Sequence, residues 1–451
     1  MNERKHEPIL FPIPRVVLGL GLALALLLPG GGAAADLPEP AGLTLEKGIE
    51  IALARHPLLK GKSAEIASAE AAIGLATSSY YPQVTASAGY ERFEHPAVFF
   101  RPSGATAENL GDTIGPLDDF TARLEARWTL WDGGVRRAER DASVARSGGA
   151  SADREAARQQ VIYGVREAFF DHVTALRLED VGEKSVSRAR EHLSLAKERF
   201  KAGAVPKADV YKAQVDLADA ELSLVSARSV VRSTMARLNT AMGMPAETEM
   251  NVVPPAESRV PPGEIDLAAG LSTAASRRPE VKAASLSVTV SEAGIRKARA
   301  AYLPRLAASG TAGVRDTDFV PEEKDWTAGV TLSWPLFTGY ARGYEIKRAE
   351  ADVDKEQARY QNLLNRVGEE VVVAHSKIRE TYEAIQAAEV MLVDARESLR
   401  MAEERYTAGA GTILDLLDAQ VAMTRAEVNA VEASLSHQTA YSRFLLATGE
   451  L

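Results

Sequence analysis

The chain has 451 residues, a formal net charge of −9 and no cysteine. The lack of cysteine excludes disulfides and a lipid-modified cysteine, and an acidic chain without a basic block argues against nucleic acid as a partner. Aromatic residues make up 6% of the chain, and alanine, glutamate, arginine and leucine dominate. That composition is typical of long helices rather than of a compact enzyme.

The N-terminal segment, residues 1–35, is predicted to be a cleaved signal peptide. Basic residues at positions 4, 5 and 15 precede an apolar run at 16–28, and three alanines follow at 33–35. The run is shorter than the roughly 20 residues that span a membrane, so an uncleaved anchor is the weaker alternative. We expect a mature chain that begins near Asp36 and works outside the cytoplasm.

The rest of the chain repeats itself, which predicts two structural copies, at 36–243 and 264–451. The segment YYPQVTASAGY, which starts at Tyr80, returns as YLPRLAASGTA 222 residues later. The segment WTLWDGG, which starts at Trp128, returns as WPLFTGY 206 residues later. A chain that repeats in this way predicts two equivalent units with the same order of elements.

Two irregular segments are predicted around these copies. The two offsets differ by 16 residues, which places extra residues of the first copy within 94–119. That segment is rich in turn-forming residues and predicts an extracellular loop. Five prolines at 244–263 predict a linker between the copies.

Each copy contains stretches in which apolar and polar residues alternate, and these predict β-hairpins at 83–131 and 305–337. Even-numbered positions at 84–90 and 120–130 are apolar or aromatic, whereas most odd-numbered ones are polar. Strands of about ten residues with one apolar face suit a transmembrane β-barrel. A half-buried hairpin of a soluble protein is the alternative.

A heptad pattern predicts that the rest of each copy is a pair of long antiparallel helices. In the first copy Val186, Leu193 and Phe200 lie seven residues apart, with Ala189 and Ala196 between them. The second copy has Leu392, Leu399 and Tyr406 before its turn and Ala419, Ala426, Ala433 and Ala440 after it. Alternation of large residues with alanine predicts a closely packed coiled coil. About 65 helical residues would span about 100 Å.

The two helical hairpins are predicted to turn near residues 203 and 409. The phrase RFKAGAVPKADVYKAQ, which starts at Arg199, returns as RYTAGAGTILDLLDAQ 206 residues later. Gly203 and Gly409 suit the left-handed conformation that ends a helix. Thr412 and Asp415 match a capping box, which starts the next helix.

The predicted strands cannot close a barrel within one chain. Four strands leave two edges whose N–H and C=O groups have no partner in lipid. Two chains would give eight strands around a filled interior, whereas three would give twelve around a lumen. We therefore expect three chains, with the helical hairpins continuing the barrel as a cylinder and the glycine turns at its far end.

This layout resembles that of the TolC-like outer membrane efflux proteins. The resemblance covers essentially the whole mature chain and rests on the duplication, the YYP and YLP strand starts, the LWDGG and LFTGY junctions, and the two tip motifs. It implies a mainly α fold with a transmembrane β part, in which a homotrimeric 12-stranded β-barrel continues into a periplasmic α-barrel of coiled-coil helices.

The resemblance also implies a function and a location. The protein would be the outer-membrane exit duct of a tripartite efflux or type I secretion system in a Gram-negative type envelope. Its partners would be a periplasmic membrane fusion (adaptor) protein and an inner-membrane pump of the RND, ABC or MFS type. Two alternatives are a porin-like channel without pump partners and a periplasmic coiled-coil scaffold.

In that family the tips close the tunnel, and the resemblance implies roles for residues there. Asp415 and Asp418 would line the narrowest point of the pore. Tyr406 on the second hairpin would be linked to Asp209 on the first. The exposed turns would dock the adaptor through Gly203, Ala204, Val205, Gly409, Ala410 and Gly411.

Two positions depart from the pattern of the family. The gate arginine falls on Gly411 in this chain, and a threonine partner falls on Ala208. These departures predict a gate that is held more weakly or in a different way.

No motif predicts an enzyme, a metal site or a cofactor. Residues 61–63 read Gly-Lys-Ser, but His56 stands where a phosphate-binding loop requires glycine. The histidines are not paired at ligand spacing, and His172 and His437 are predicted to be surface or seam residues of helices. The class of cargo (drugs, metal ions or proteins) is left open by the sequence.

Overall fold

The computed structural model describes residues 42–93, 117–255, 259–316, 319 and 323–451. The predicted signal peptide at 1–35 and most of the predicted loop at 94–119 lie outside these residues. Across the described ranges, no helix combines the length and the apolar character needed to cross a membrane.

The two copies contain the same six elements in the same order. In the first copy these are α1 (Leu45–Arg55), α2 (Pro57–Ser78), β1 (Gln83–Phe93), β2 (Leu117–Trp131), α3 (Val135–Lys201) and α4 (Lys207–Ala241). In the second copy they are α5 (Leu267–Arg277), α6 (Pro279–Ala300), β3 (Arg305–Asp316), β4 (Glu323–Ser333), α7 (Ala341–Thr407) and α8 (Ile413–Thr448). The prediction of a mainly helical fold with a smaller β part is confirmed.

Each copy begins with two helices where the sequence predicted one. The break comes at His56 and Arg278, whose backbones are extended, and the next helix starts at Pro57 or Pro279. A proline clashes with a helical conformation of the residue before it but fits the first position of a helix. The His-Pro and Arg-Pro pairs therefore divide a continuous helical pattern into two.

The linker between the copies returns to the start of the first copy. Leu43 and Val252 form a parallel bridge, in which the Leu43 N–H donates to the Asn251 carbonyl (2.7 Å) and the Val253 N–H to the Leu43 carbonyl (3.0 Å). A short 3-10 turn at Pro262–Glu264 then leads into α5.

The four strands form one antiparallel sheet in the order β1-β2-β3-β4, so β1 and β4 are its edges. The two copies meet in the middle of the sheet, where Ala126 of β2 lies opposite Gly310 of β3. Strand β4 ends at Ser333, short of the predicted boundary at 337. Pro335 follows, and a proline has no N–H to donate to a strand ladder.

The repeated tyrosine and tryptophan motifs meet where the strands join the helices. Trp128 Nε1 donates to the Tyr80 carbonyl (2.8 Å), and the Arg136 guanidinium lies 4.7 Å from the centre of the Tyr80 ring. The second copy repeats these contacts with Trp334, Tyr302 and Arg342, at 3.0 Å and 4.7 Å. The same hydrogen bond and cation–π contact thus fasten the sheet to the helices in both copies.

The long helices pair as antiparallel hairpins, α3 with α4 and α7 with α8. Helices α3 and α7 have 67 residues each, which corresponds to about 100 Å. The buried seam positions include Val186, Ala189, Leu193, Ala196, Val210 and Ala213 in the first hairpin and Leu399, Tyr406, Ala419 and Ala426 in the second.

One predicted seam residue is not in the seam. Phe200 is 41% exposed. The packed seam of the first hairpin ends with Ala196 and Val210, so Phe200 lies past the last pair of packed residues, in the turn of α3 that leads to the tip.

Each helical hairpin buries a histidine against a threonine of the same hairpin. His172 Nδ1 lies 3.0 Å from Thr234 Oγ1 in the first hairpin, and His437 Nδ1 lies 3.0 Å from Thr381 Oγ1 in the second. The Val260 N–H donates to His437 Nε2 (3.3 Å), so this nitrogen is an acceptor and the ring is neutral with its proton on Nδ1.

The two histidines that pair with threonines predict sensitivity to acid. Burial lowers the pKa of both His172 and His437 below the unfolded value of about 6.5. The folded state therefore binds fewer protons, and its stability is full above about pH 6.5 and is lost as the pH falls towards the folded pKa. We expect the unfolding temperature to fall less between pH 7.5 and 5 in a His172→Gln/His437→Gln variant than in the wild type. Circular dichroism of the helices measures it, and equal falls would assign the sensitivity to other groups.

Candidate functional site at the hairpin tips

The first hairpin turns at Gly203. Its φ is +73°, the Gly203 N–H donates to the Phe200 carbonyl (3.0 Å), and the Ala204 N–H donates to the Arg199 carbonyl (2.9 Å). These paired bonds satisfy the last carbonyls of α3, and only glycine adopts the required backbone without strain. Pro206 is the N-cap of α4, one position before the helix begins.

The second hairpin turns in the same way at Gly409. Its φ is +78°, and the Ala410 and Gly411 N–H groups both donate to the Arg405 carbonyl (2.9 and 3.0 Å). A Cβ at Gly411 would lie 3.2 Å from the Arg405 Cβ and 3.3 Å from the Tyr406 nitrogen. A side chain at Gly411 would therefore crowd the last turn of α7.

Asp415 closes a capping box with Thr412 at the start of α8. The Asp415 N–H donates to Thr412 Oγ1 (3.2 Å), and the Thr412 N–H and hydroxyl donate to Asp415 Oδ2 (3.0 and 2.8 Å). These bonds favour the ionised carboxylate and lower the pKa of Asp415. Asp418 lies three residues further along the same side of α8, and both carboxylates are exposed in the single chain.

Tyr406 is the buried anchor of the second tip. Its side chain is 1% exposed and packs in one cluster with Leu399, Ile413 and Leu416. Its hydroxyl has no hydrogen-bond partner within the described part of the chain. The tyrosine is therefore held by packing rather than by a hydrogen bond of its phenol group.

Arg199 from the first hairpin covers this tyrosine. Its guanidinium lies 4.8 Å from the centre of the Tyr406 ring, and a Cβ at Gly409 would lie 3.1 Å from Arg199 Nη2. Burial and the nearby Asp209 carboxylate raise the pKa of Tyr406, while Arg199 opposes them. The link between Tyr406 and Asp209 stays a prediction, and Arg199 is the residue of the first hairpin that contacts the tyrosine ring.

Sequence reasoning did not select Arg199 as a site residue. The sequence did contain an indication, because Arg199 and Phe200 of the first tip are equivalent to Arg405 and Tyr406 of the second. The other predicted positions lie in the tips without such a contact. Asp209 is half-buried in the first turn of α4, and Ala208, Gly203, Ala204, Gly409 and Ala410 are exposed.

Further from the tips, two more contacts join the hairpins of one chain. Arg188 of α3 makes a two-pronged ion pair with Glu427 of α8, at 3.1 and 2.6 Å, and both side chains are largely buried. His192 Nε2 of α3 lies 3.3 Å from Glu403 Oε1 of α7. The first and second hairpins are therefore connected at several levels above the tips.

Comparison with known proteins decides the family. The family model described as "Outer membrane efflux protein" matches residues 48–244 and 270–450. The chain belongs to the outer membrane efflux protein family. The predicted identification is confirmed, and membership makes the protein a channel of the outer membrane with helices that extend into the periplasm.

Individual members of the outer membrane efflux protein family and solved channels align over most of the chain. Protein CyaE of Bordetella pertussis is 28% identical over 442 residues, which cover 96% of this chain and 90% of that protein. The solved CmeC outer membrane channel of Campylobacter jejuni has a TM-score of 0.77 at 23% identity and covers 90% of this chain and 85% of that one. The solved VceC of Vibrio cholerae has a TM-score of 0.77 at 18% identity, with 90% and 96% covered. These channels share the fold.

Proposed function

We propose that three copies of this chain form one exit duct, which docks through its tips on a periplasmic adaptor protein and an inner-membrane pump. The observation that carries the proposal is the pair of exposed small-residue turns at the ends of helices about 100 Å long. A channel that worked without a pump would need neither helices of this length nor two specialised tips.

The edges of the sheet support closure by several chains. In the described part of the chain, β1 and β4 are the edges of the sheet, and each runs antiparallel to its one neighbouring strand. Since the strand directions alternate, β4 of one protomer can pair antiparallel with β1 of the next. Three protomers then give twelve strands and leave no open edge in lipid.

The assembly is tested with the purified protein. Detergent-extracted protein is expected to run as three chains on a native gel, to collapse to one chain on heating, and to form conducting pores in planar bilayers. A monomer that stays in the aqueous fraction without detergent would favour the periplasmic scaffold instead.

Docking is tested at Gly203, where the added side chain meets open space and only the backbone is constrained. Gly203→Val forces a β-branched residue to positive φ at a cost of about 1–2 kcal/mol, whereas Gly203→Asn keeps a residue that tolerates this conformation. We expect Gly203→Val to lose export while the trimer persists in the outer membrane, and Gly203→Asn to retain most of it.

Co-purification with a periplasmic adaptor protein of the same organism measures docking, and cellular accumulation of an exported dye measures export. If Gly203→Val also removes the trimer, the glycine is needed for folding and the docking role fails. A channel that exports normally with Val at this position would contradict the role as well.

In a trimer the Asp415 and Asp418 carboxylates would form two rings around the axis of the pore. Close carboxylates raise one another's pKa and favour cations, but Asp415 is already engaged by Thr412, whose hydrogen bonds lower the pKa of Asp415. The lowered pKa keeps Asp415 ionised, so both carboxylates are expected to contribute to cation preference.

We expect Asp418→Asn to reduce cation preference, measured as the reversal potential in a salt gradient, without lowering the unfolding temperature. Asp415→Asn keeps a side-chain oxygen that can accept the hydrogen bonds from Thr412, and it serves as the matched comparison. Unchanged selectivity in the double variant would leave both residues as ordinary first-turn carboxylates.

A further inference from the structure

A groove runs along α3 between its two neighbours, α4 of the same hairpin and α8 of the other hairpin. Helix α3 packs against both, whereas α4 and α8 hardly touch each other, so α3 forms the floor of the groove and the other two helices form its walls. The groove encloses about 540 Å³, and its floor includes the small residues Ala175, Gly182 and Ser185. That volume suits a small organic molecule.

On the wall formed by α8, Gln420 presents an amide oxygen that has no donor. Its side chain is 2% exposed and lines the groove, and its Nε2 atom donates to Thr424 Oγ1 (3.2 Å). Oε1 has no hydrogen-bond partner in the described part of the chain. Thr424 Oγ1 lies 3.5 Å from Ser185 Oγ of α3. Since α3 and α8 are antiparallel, Gln420, four residues before Thr424, lies level with residue 189 of α3.

On the wall formed by α4, Asp216 presents a carboxylate oxygen that has no donor. Its Oδ2 atom is buried without a partner among the described residues, and the side chain lines the groove. Gly182 of α3 lies against Leu224 of α4, since a Cβ at this glycine would lie 3.3 Å from Leu224 Cδ1. Asp216, eight residues before Leu224 on an antiparallel helix, therefore lies level with residue 190 of α3. The two acceptors thus line the groove at one level, from opposite walls.

The groove is negatively charged at this level. Burial raises the pKa of Asp216, His192 opposes that rise, and Asp219 adds to it. Among the described residues that line the groove, Arg425 is the basic one, but it is exposed and lies five residues further along α8 than Gln420. A cation beside Asp216 would offset the cost of burying its carboxylate.

The part of the groove further from the tips is mostly apolar. Val230 of α4 and Val428 of α8 line its walls there, and Leu178 and Val181 line its floor. A hydrocarbon group can lie against these side chains while a polar group reaches the acceptors nearer the tips.

We propose that this groove binds an organic cation that carries a primary ammonium group on an apolar body. The ammonium group, which has three N–H donors, donates to Asp216 Oδ2 and Gln420 Oε1. The apolar body lies along Leu178, Val181 and Val230. All of these residues belong to one chain, so the site does not depend on how many copies assemble.

The site is particular to the first copy and is not a by-product of the duplication. Adding 206 residues to Asp216 gives Ala422, and adding 206 to Ser185 gives Met391. The second copy therefore lacks the carboxylate and has a larger side chain at the equivalent position of the floor.

Three probes of one shape separate charge from apolar contact, and they are cyclohexylammonium, cyclohexanol and cyclohexanecarboxylate. Saturation-transfer NMR on the detergent-extracted protein, at a pH near neutrality, measures their binding. We expect cyclohexylammonium to bind about ten-fold more tightly than either of the other two, because only it supplies charged donors to the two acceptors. Its binding should also raise the unfolding temperature, because the ligand contacts both hairpins in the folded state.

Three variants place the probe in the groove. Asp216→Asn keeps the shape of the side chain and removes its charge, so cyclohexylammonium should bind about ten-fold more weakly while cyclohexanol is unaffected. Gln420→Met removes the amide oxygen and should weaken binding several-fold. Asp219→Asn is the matched control, because it removes an exposed carboxylate from the same wall, and it should change binding little. Circular dichroism checks that each variant is folded.

The results that would overturn the proposal are specific. Equal binding of the three probes, or no binding of cyclohexylammonium, would mean that water satisfies the two acceptors. Equal losses in Asp216→Asn and Asp219→Asn would reflect the general negative charge of α4 rather than a site. If Asp216→Asn does not fold, Gln420→Met decides, and unchanged binding in that variant would overturn the site. Any of these results would leave the proposed exit duct in place, since that proposal does not use this groove.

Discussion

Replacing Tyr406 with alanine is expected to open the tip of the channel, whereas Tyr406→Phe is expected to leave it closed. The ring is almost fully buried and lies under the Arg199 guanidinium, so its removal costs about 3–5 kcal/mol of packing in the second tip and also breaks the contact with the first hairpin. The hydroxyl has no partner among the described residues, so its removal breaks no hydrogen bond.

Conductance in planar bilayers and sensitivity of cells to a bulky antibiotic measure the difference. Tyr406→Ala should raise conductance several-fold and sensitise the cells, while Tyr406→Phe should match the wild type. Tyr406→Phe could instead open the channel as far as Tyr406→Ala. In that case the hydroxyl forms a hydrogen bond to another protomer that keeps the tip closed, and packing under Arg199 does not.

The second large effect is expected at the Arg188–Glu427 ion pair. Glu427→Gln leaves the Arg188 guanidinium largely buried without its counter-charge, which costs about 2–3 kcal/mol for a pair that retains a little exposure. Because this pair joins α3 to α8, the cost falls on the contact between the two hairpins, and the unfolding temperature of the trimer should fall by several degrees.

The exposed pair of Arg400 and Glu397 gives the matched control. Both side chains are more than half exposed, and exposed pairs contribute little because water screens them. Glu397→Gln should therefore leave the unfolding temperature unchanged. An Arg188→Met/Glu427→Met variant should recover much of the loss, since two apolar side chains remove the buried charge altogether. Equal effects of Glu427→Gln and Glu397→Gln would contradict a structural role for the buried pair.

Most of the architecture could be predicted because it depends on periodic patterns. The alternation at 120–130 and the heptads through Leu193 and Leu399 each reflect one buried face, and the structure has strands and helices there. Repetition strengthened both predictions, since a pattern seen twice is unlikely to arise by chance.

The missed features depend on contacts between distant residues or on local steric detail. The His56–Pro57 break interrupts no hydrophobic period, so only the stereochemistry of proline reveals it. Phe200 fits the heptad but lies beyond the last packed pair. Arg199 contacts a ring 207 positions away in sequence, and the Arg188–Glu427 pair spans 239 positions, which no local pattern records.

The junction between sheet and helices has a mechanical consequence for opening. The same tryptophan hydrogen bond and arginine–tyrosine stacking clamp the upper end of each hairpin, so the helices behave as rods held firmly at one end. A sideways shift of about 10 Å at the free end of a rod about 100 Å long needs a bend of only about 6°. Helices of this length curve more than that without breaking a hydrogen bond. Dilation of the tip therefore requires no hinge, and the strands can stay still while the far end moves.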